Sequence, residues 1–150
     1  LYDTFEGMTP PEDVDRRRDG TSAAELLATS DRDSRVWGVA TLDDVRTGMG
    51  EVDYPAERVH FHPGRVEDTI PGEAPQTIAL LRLDTDWYAS TRHEFEHLYD
   101  RLSPGGVVII DDYGYWEGSR RATEEFLAQS GAKLLLLPIG DGRIAVKPGL

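Results

Sequence analysis

The sequence predicts an α/β fold, a mainly parallel sheet whose last strand runs antiparallel. Three observations predict it. Ile78-Ala79-Leu80-Leu81-Arg82-Leu83-Asp84-Thr85-Asp86 and Val107-Val108-Ile109-Ile110-Asp111-Asp112 are short apolar runs that stop abruptly at carboxylates. A helix-length amphipathic segment and a Pro104-Gly105-Gly106 turn separate them. That is the spacing of a βαβ unit, whose parallel strands end on one sheet edge. Further on, Gly140-Asp141-Gly142 reads as a hairpin turn between two apolar runs, which reverses the final strand.

The elements follow in order. Leu1-Tyr2 before Asp3 reads as the tail of a strand. Residues 8–22 hold Pro10-Pro11, a run of Asp and Arg, and Gly20, and read as a flexible loop. Residues 22–29 predict a short helix. Leu42, Val45 and Met49 have helical spacing, so a helix is expected over 41–50 with Thr41 as N-cap. The alternation over 59–66 predicts a strand, followed by a Gly/Pro-rich loop at 71–75. A strand is expected over 78–84. The helix over 87–102 is the clearest, with Tyr88, Thr91, Phe95, Leu98, Tyr99 and Leu102 on one stripe. Ser103-Pro104-Gly105-Gly106 ends it and leads into a strand at 107–110. Ala122, Phe126 and Leu127 predict a helix over 117–130 that stops at Gly131. A buried strand at 134–137 and a last strand at 143–146 complete the chain.

The 150 residues suit one domain. The hydrophobic share of 39% and charged share of 29% indicate a globular chain. No apolar run approaches the ~20 residues needed to span a bilayer. Without cysteines there are no disulfides, thiolate nucleophiles or Cys-held zinc. With no visible secretory signal, a cytoplasmic location is expected. The formal net charge of −12, without a basic stripe, argues against nucleic acid as a partner.

Open α/β sheets bind ligands at the carboxyl edge of their strands. Asp84, Asp86, Asp111 and Asp112 are therefore expected to converge there. Such a cluster repels itself unless a cation, a proton or a basic group sits in it, and magnesium takes oxygen ligands of this kind. His93-Glu94-Phe95-Glu96-His97 matches the zinc-protease pattern H-E-x-x-H. At 100° per residue both histidines fall opposite the apolar stripe, so a solvated helix face is expected. His60 and His62 alternate on one predicted strand, with no third ligand implied. Trp87 and Trp116 lie next to the acidic ends, where they either pack or wall a substrate pocket. Asp3 sits just past the first strand, where an acid suits a ribose diol.

Together these segments resemble the macrocin O-methyltransferase family. The resemblance is carried by Asp3-Thr4-Phe5-Glu6-Gly7-Met8, by Arg58-Val59-His60-Phe61-His62-Pro63-Gly64 through Asp68-Thr69-Ile70-Pro71, by Leu83-Asp84-Thr85-Asp86-Trp87-Tyr88, and by Leu102-Ser103-Pro104-Gly105-Gly106 through Ile110-Asp111-Asp112-Tyr113-Gly114. It implies a Rossmann-like class I methyltransferase sheet. It also implies transfer of a methyl group from S-adenosylmethionine to a sugar hydroxyl of a natural product, with Mg2+ chelating the acceptor diol. By the same resemblance Asp84, Asp111 and Asp112 hold the metal, and Asp86 or Asp84 is the general base. Asp3, Thr4, Phe5 and Gly64 bind the cofactor. The expected partner is a small-molecule glycoside in antibiotic biosynthesis, and a homo-oligomer is compatible with it. The family's first strand and glycine-rich loop are expected upstream of Leu1. Residues 1–150 are then the C-terminal part of the domain and are expected to be inactive alone.

Two rivals follow from single motifs. Asp84-Thr85-Asp86 is a D-x-D that a metal-dependent glycosyltransferase would use, but it leaves Asp111-Asp112 unexplained. An acid pair ending a strand also suggests a non-enzymatic receiver-like module, but the order of its acids and lysine does not fit.

Overall fold

The acidic runs are strand ends, and they lie side by side. In the computed structural model, which describes residues 1–149, β3 (Ile78–Leu83) pairs in parallel with β4 (Leu102–Ile110). Leu83 stands opposite Ile110, so Asp84 and Asp111 leave the sheet at the same level. The connection is α4 (Tyr88–Leu98) followed by a 3-10 turn at Tyr99–Arg101. β4 then pairs antiparallel with β6 (Gly142–Val146), and β6 pairs antiparallel with β5 (Leu137–Ile139). The order is β3-β4-β6-β5, so β6 alone runs against its three sheet mates. A separate two-stranded parallel sheet joins β1 (Tyr2–Asp3) to β2 (His62–Pro63).

α4 lies against β3 and shares the core of the larger sheet. α4 packs on α5 (Glu117–Ser130), and Phe95 stacks on Phe126 at 4.6 Å. Leu81, Leu83, Phe95, Leu98, Leu102, Val108 and Ile110 share one buried core. Gly131 ends α5 with φ of 70°, the left-handed cap that glycine adopts without a Cβ penalty. α1 (Ala23–Thr29), α2 (Leu42–Gly50) and the short α3 (Val66–Thr69) lie before the larger sheet in sequence. Thr41 caps α2 as expected, accepting from the Asp44 N–H at 3.2 Å. No helix among the described residues is long and apolar enough to cross a membrane.

Two strand expectations are corrected. The strand over 59–66 shrinks to His62–Pro63, because Gly64 has φ of 139° and Arg65 is already the N-cap of α3. The strand expected at 134–137 forms instead at Leu137–Ile139, and it is exposed. It is an edge strand with β6 as its one neighbour, so its apolar residues have sheet on one side only.

Segment 8–22 is irregular, as expected of a loop, but it is tied down and not free. Asp15 is only 1% exposed and accepts from the Glu12 N–H at 2.7 Å and the Tyr88 N–H at 2.8 Å, the latter at the first turn of α4. A Cβ on Gly118 would overlap the Asp15 carboxylate, so glycine is what lets α5 start against it. The Trp87 indole donates to the Thr9 carbonyl at 2.9 Å. Asp15→Ala would leave two part-buried N–H groups without their acceptor. A loss of about 1–3 kcal/mol is expected, visible as a lower Tm, with amide exchange quickening first in residues 9–17.

Candidate active site

A cavity of about 490 Å³ opens at the carboxyl ends of β1 and β3. Asp84, Asp86 and Asp112 line it, together with Asp3, Thr4, Gly64, Trp87 and Trp116. One carboxylate oxygen from each of Asp84, Asp86 and Asp112 lies within 4.8 Å of the others, the arrangement of a cation site. Asp86 has φ of 64°. That left-handed conformation is uncommon for a residue with a Cβ but tolerated by aspartate, and it is the kind of strain found at functional sites. It turns the chain off β3 immediately before the start of α4.

Asp111 stands differently. Arg82 Nη2 lies 3.0 Å from Asp84 Oδ2 and 3.0 Å from Asp111 Oδ1. The guanidinium thus draws both strand ends together at the exposed rim. Asp111 is not among the residues lining the cavity.

The cluster is electrostatically costly. Burial pushes the Asp86 carboxyl up to about 9, helped by its hydrogen bond to Asp112 and the neighbouring charges. Burial first, then Asp111, pushes Asp84 up to about 7. Burial also raises Asp112. A proton on Asp86 shared with Asp112 relieves part of the repulsion, yet Asp112 Oδ2 is buried and no donor in the protein reaches it. An orphaned carboxylate oxygen among converging carboxylates fits a ligand for a cation. The all-oxygen donor set fits a hard one such as magnesium.

The remaining candidates are placed as follows. Asp3 Oδ1 accepts from the Phe5 N–H at 2.6 Å, and Thr4 Oγ1 donates to the Gly7 carbonyl at 2.7 Å. Both side chains line the cavity. Phe5 does not; its ring is buried with φ of 55° and meets Phe61 edge-on. Trp87 and Trp116 pack together beside the acidic ends. They are buried, edge to face at 5.0 Å, and they wall the cavity. His60 and His62 stay outside it; His62 stacks on Tyr2 at 4.6 Å.

The H-E-x-x-H histidines hold no metal group among the described residues. They are half-buried rather than solvated, with His93 Nε2 2.9 Å from the Ile70 carbonyl. The residue of this motif that matters is the one between them. Glu94 is buried, accepts a 2.9 Å hydrogen bond from Thr85, and so sits behind the turn that carries Asp84 and Asp86. Its position was readable, because Glu94 is three residues from Thr91 and four from Leu98, on the inward stripe of α4.

Comparison with known proteins agrees with the geometry. Residues 1–141 match the family model for macrocin-O-methyltransferase (TylF). The chain is 33% identical over 129 residues to demethyldecarbamoylnovobiocin O-methyltransferase of Streptomyces niveus, covering 86% of this chain and 47% of that protein. It is 34% identical over 141 residues to mycinamicin III 3''-O-methyltransferase of Micromonospora griseorubida, covering 87% and 49%. The solved structure of the O-methyltransferase NovP superposes with a TM-score of 0.78 at 31% identity, covering 99% of this chain and 59% of that one. The expected Rossmann-like methyltransferase fold is thereby shown. The chain spans about half the length of these curated relatives.

Proposed function

The chain belongs to the macrocin O-methyltransferase family, and on that premise we propose that it forms the acceptor and metal side of an O-methyltransferase. The proposed reaction moves a methyl group from S-adenosylmethionine to a sugar hydroxyl of a small-molecule natural product, with magnesium bound. The observation that carries this is the carboxylate group Asp84, Asp86 and Asp112 in the same cavity as Asp3, Thr4 and Gly64. The receiver-like reading has no use for that shared cavity, and the glycosyltransferase reading leaves the family match unexplained.

In this proposal Asp84 and Asp112 hold the metal. Asp111 joins them from the rim once Arg82 releases it. When bound, magnesium supplies a Lewis acid that lowers the pKa of an acceptor hydroxyl, and S-adenosylmethionine supplies an electrophilic methyl. Asp86 is assigned the proton. Burial raises its proton affinity; a cation held by the neighbouring carboxylates would favour its ionised form, the form that can take a proton from the acceptor hydroxyl. The left-handed backbone at Asp86 fixes where that carboxylate points. Asp3 and Thr4 present carboxylate and hydroxyl oxygens to a ribose, and Gly64 leaves room beside them. Trp87 and Trp116 exclude water from the acceptor side. The protein's contribution is chiefly positioning.

The test is methyl transfer to a vicinal-diol glycoside by the protein that contains this chain. Asp86→Asn is expected to lower kcat about 100-fold or more even at saturating magnesium. Wild-type turnover by this variant would remove Asp86 from the base role. Undiminished turnover in excess chelator would remove the metal from the reaction.

A further inference from the structure

We propose that Arg17 forms an anion subsite beside the carboxylate cluster, and that the acceptor sugar carries a phosphate. That phosphate belongs either to a sugar 1-phosphate or to a nucleoside-diphosphate-linked sugar. The word "sugar" rests on the function proposed above; the anion subsite stands on Arg17 itself.

Arg17 lines the same cavity as Asp84, Asp86 and Asp112. Its backbone bridges to Trp116, and the N–H groups of Tyr115 and Trp116 both bond the Asp112 carbonyl, at 3.0 and 2.9 Å. One turn therefore ties Arg17 to the metal-side end of β4. The guanidinium lies over the Tyr115 ring at 5.2 Å and the Trp116 ring at 5.9 Å. These faces fix its plane and partly desolvate it.

What the guanidinium lacks is an anion. Its Nε is buried with no hydrogen-bond partner, and among the described residues it makes no ion pair. The sequence has 28 acidic residues against 16 basic ones. Arg65, Arg82, Arg92, Arg120 and Arg121 all find carboxylates. The two acids nearest in sequence, Asp15 and Asp19, each accept from backbone N–H groups, and neither forms an ion pair with Arg17 among the described residues. A desolvated donor left unpaired is costly. A chain this rich in carboxylates that leaves the Arg17 guanidinium without one in its cavity is matched to an anion from outside.

Phosphate fits better than carboxylate. The guanidinium fork pairs two phosphate oxygens at once. Magnesium is commonly shared between a few carboxylates and a substrate phosphate, and the carboxylates are here. Arg35 also lines the cavity and has no ion-pair partner among the described residues. It offers a second cation to a group with more than one charge.

Trp116 supplies a direct readout. Tryptophan fluorescence, to which Trp37 and Trp87 also contribute, would be followed during titration of the full chain with inorganic pyrophosphate, a hexose 1-phosphate, a nucleoside-diphosphate hexose and a neutral methyl hexoside, with and without magnesium. The phosphorylated sugars are expected to bind at least ~10-fold tighter than the methyl hexoside. That advantage should vanish in Arg17→Gln and shrink in Arg17→Lys, which keeps the charge but not the fork. A thermal melt checks that both variants are folded. Arg46→Gln, at an exposed helix position, should keep the advantage. The two phosphate arms then identify the source. Equal binding of neutral and phosphorylated hexoses overturns the subsite and leaves the sugar reading standing. So does an advantage that survives Arg17→Gln in a folded variant. Arg17-dependent binding of pyrophosphate with no sugar bound at all keeps the subsite and sinks the sugar reading.

Discussion

Asp112→Asn is expected to weaken magnesium binding at least ~100-fold while leaving the chelator-treated protein more stable than wild type. The two effects have one cause. Asp84, Asp86 and Asp112 bring carboxylate oxygens within 4.8 Å of each other. At that distance each ionised pair repels by about 3 kcal/mol in a partly screened protein site. Removing one charge relaxes this, and removes a ligand whose Oδ2 has no other partner. The sign with pH follows. Burial and mutual repulsion raise these acids, Asp84 to about 7 and Asp86 to about 9. Their folded-state pKa lies above the unfolded one. The stability they allow is complete in acid and falls as pH rises from the ordinary carboxylate range toward 9. Without metal, wild type should therefore melt lower at pH 9 than at pH 6, and Asp112→Asn should flatten that slope. Saturating magnesium should flatten it in wild type only. Calorimetry that finds wild-type magnesium affinity in Asp112→Asn would remove Asp112 from the metal site.

The carboxylate edge was legible because local pattern and topology agree there. An apolar run that stops at an acid defines a strand end, and one helix between two runs makes them parallel. Leu83 opposite Ile110 then follows from chain geometry. Register alone does not decide which carboxylates meet. Asp111 was expected with Asp84 and Asp112. In the structure Asp111 meets Asp84 across the Arg82 guanidinium they share at the rim, while Asp86 takes its place in the group of three carboxylates. That contact depends on rotamers, which a sequence does not display. The same holds for Arg17 and Asp15. Both sit in a segment whose Pro, Gly and charge content reads as loop, and their roles come from partners 73 and 99 residues away. Segment 59–66 misled because alternation survives a turn. Val59, Phe61 and Pro63 alternate as in a strand, but Gly64 at φ 139° bends the chain within it.

Glu94 is the second place where function costs stability, and it can be measured without substrate or metal. The carboxyl is buried within α4 and its one hydrogen bond comes from Thr85. Burial, with the charges of Glu67, Asp84 and Asp112, pushes it up to about 8 from an ordinary 4.5. Between pH 4.5 and 8 the unfolded chain releases this proton and the folded chain keeps it. Stability is thus fully present below about 4.5 and is lost as pH rises through about 8. The loss is on the order of a few kcal/mol. Glutamine has the same shape, still accepts from Thr85, and carries no charge to bury. Glu94→Gln is therefore expected to be more stable than wild type at pH 8, about equal at pH 5, and shallower between. Urea unfolding at several pH values measures this directly, and parallel profiles would show that Glu94 is not the group that titrates. Glu94→Leu separates the remaining role. It removes the same charge but also the acceptor for Thr85, the residue between Asp84 and Asp86. If Glu94 is there to hold that turn, Glu94→Leu should lose magnesium affinity where Glu94→Gln retains it.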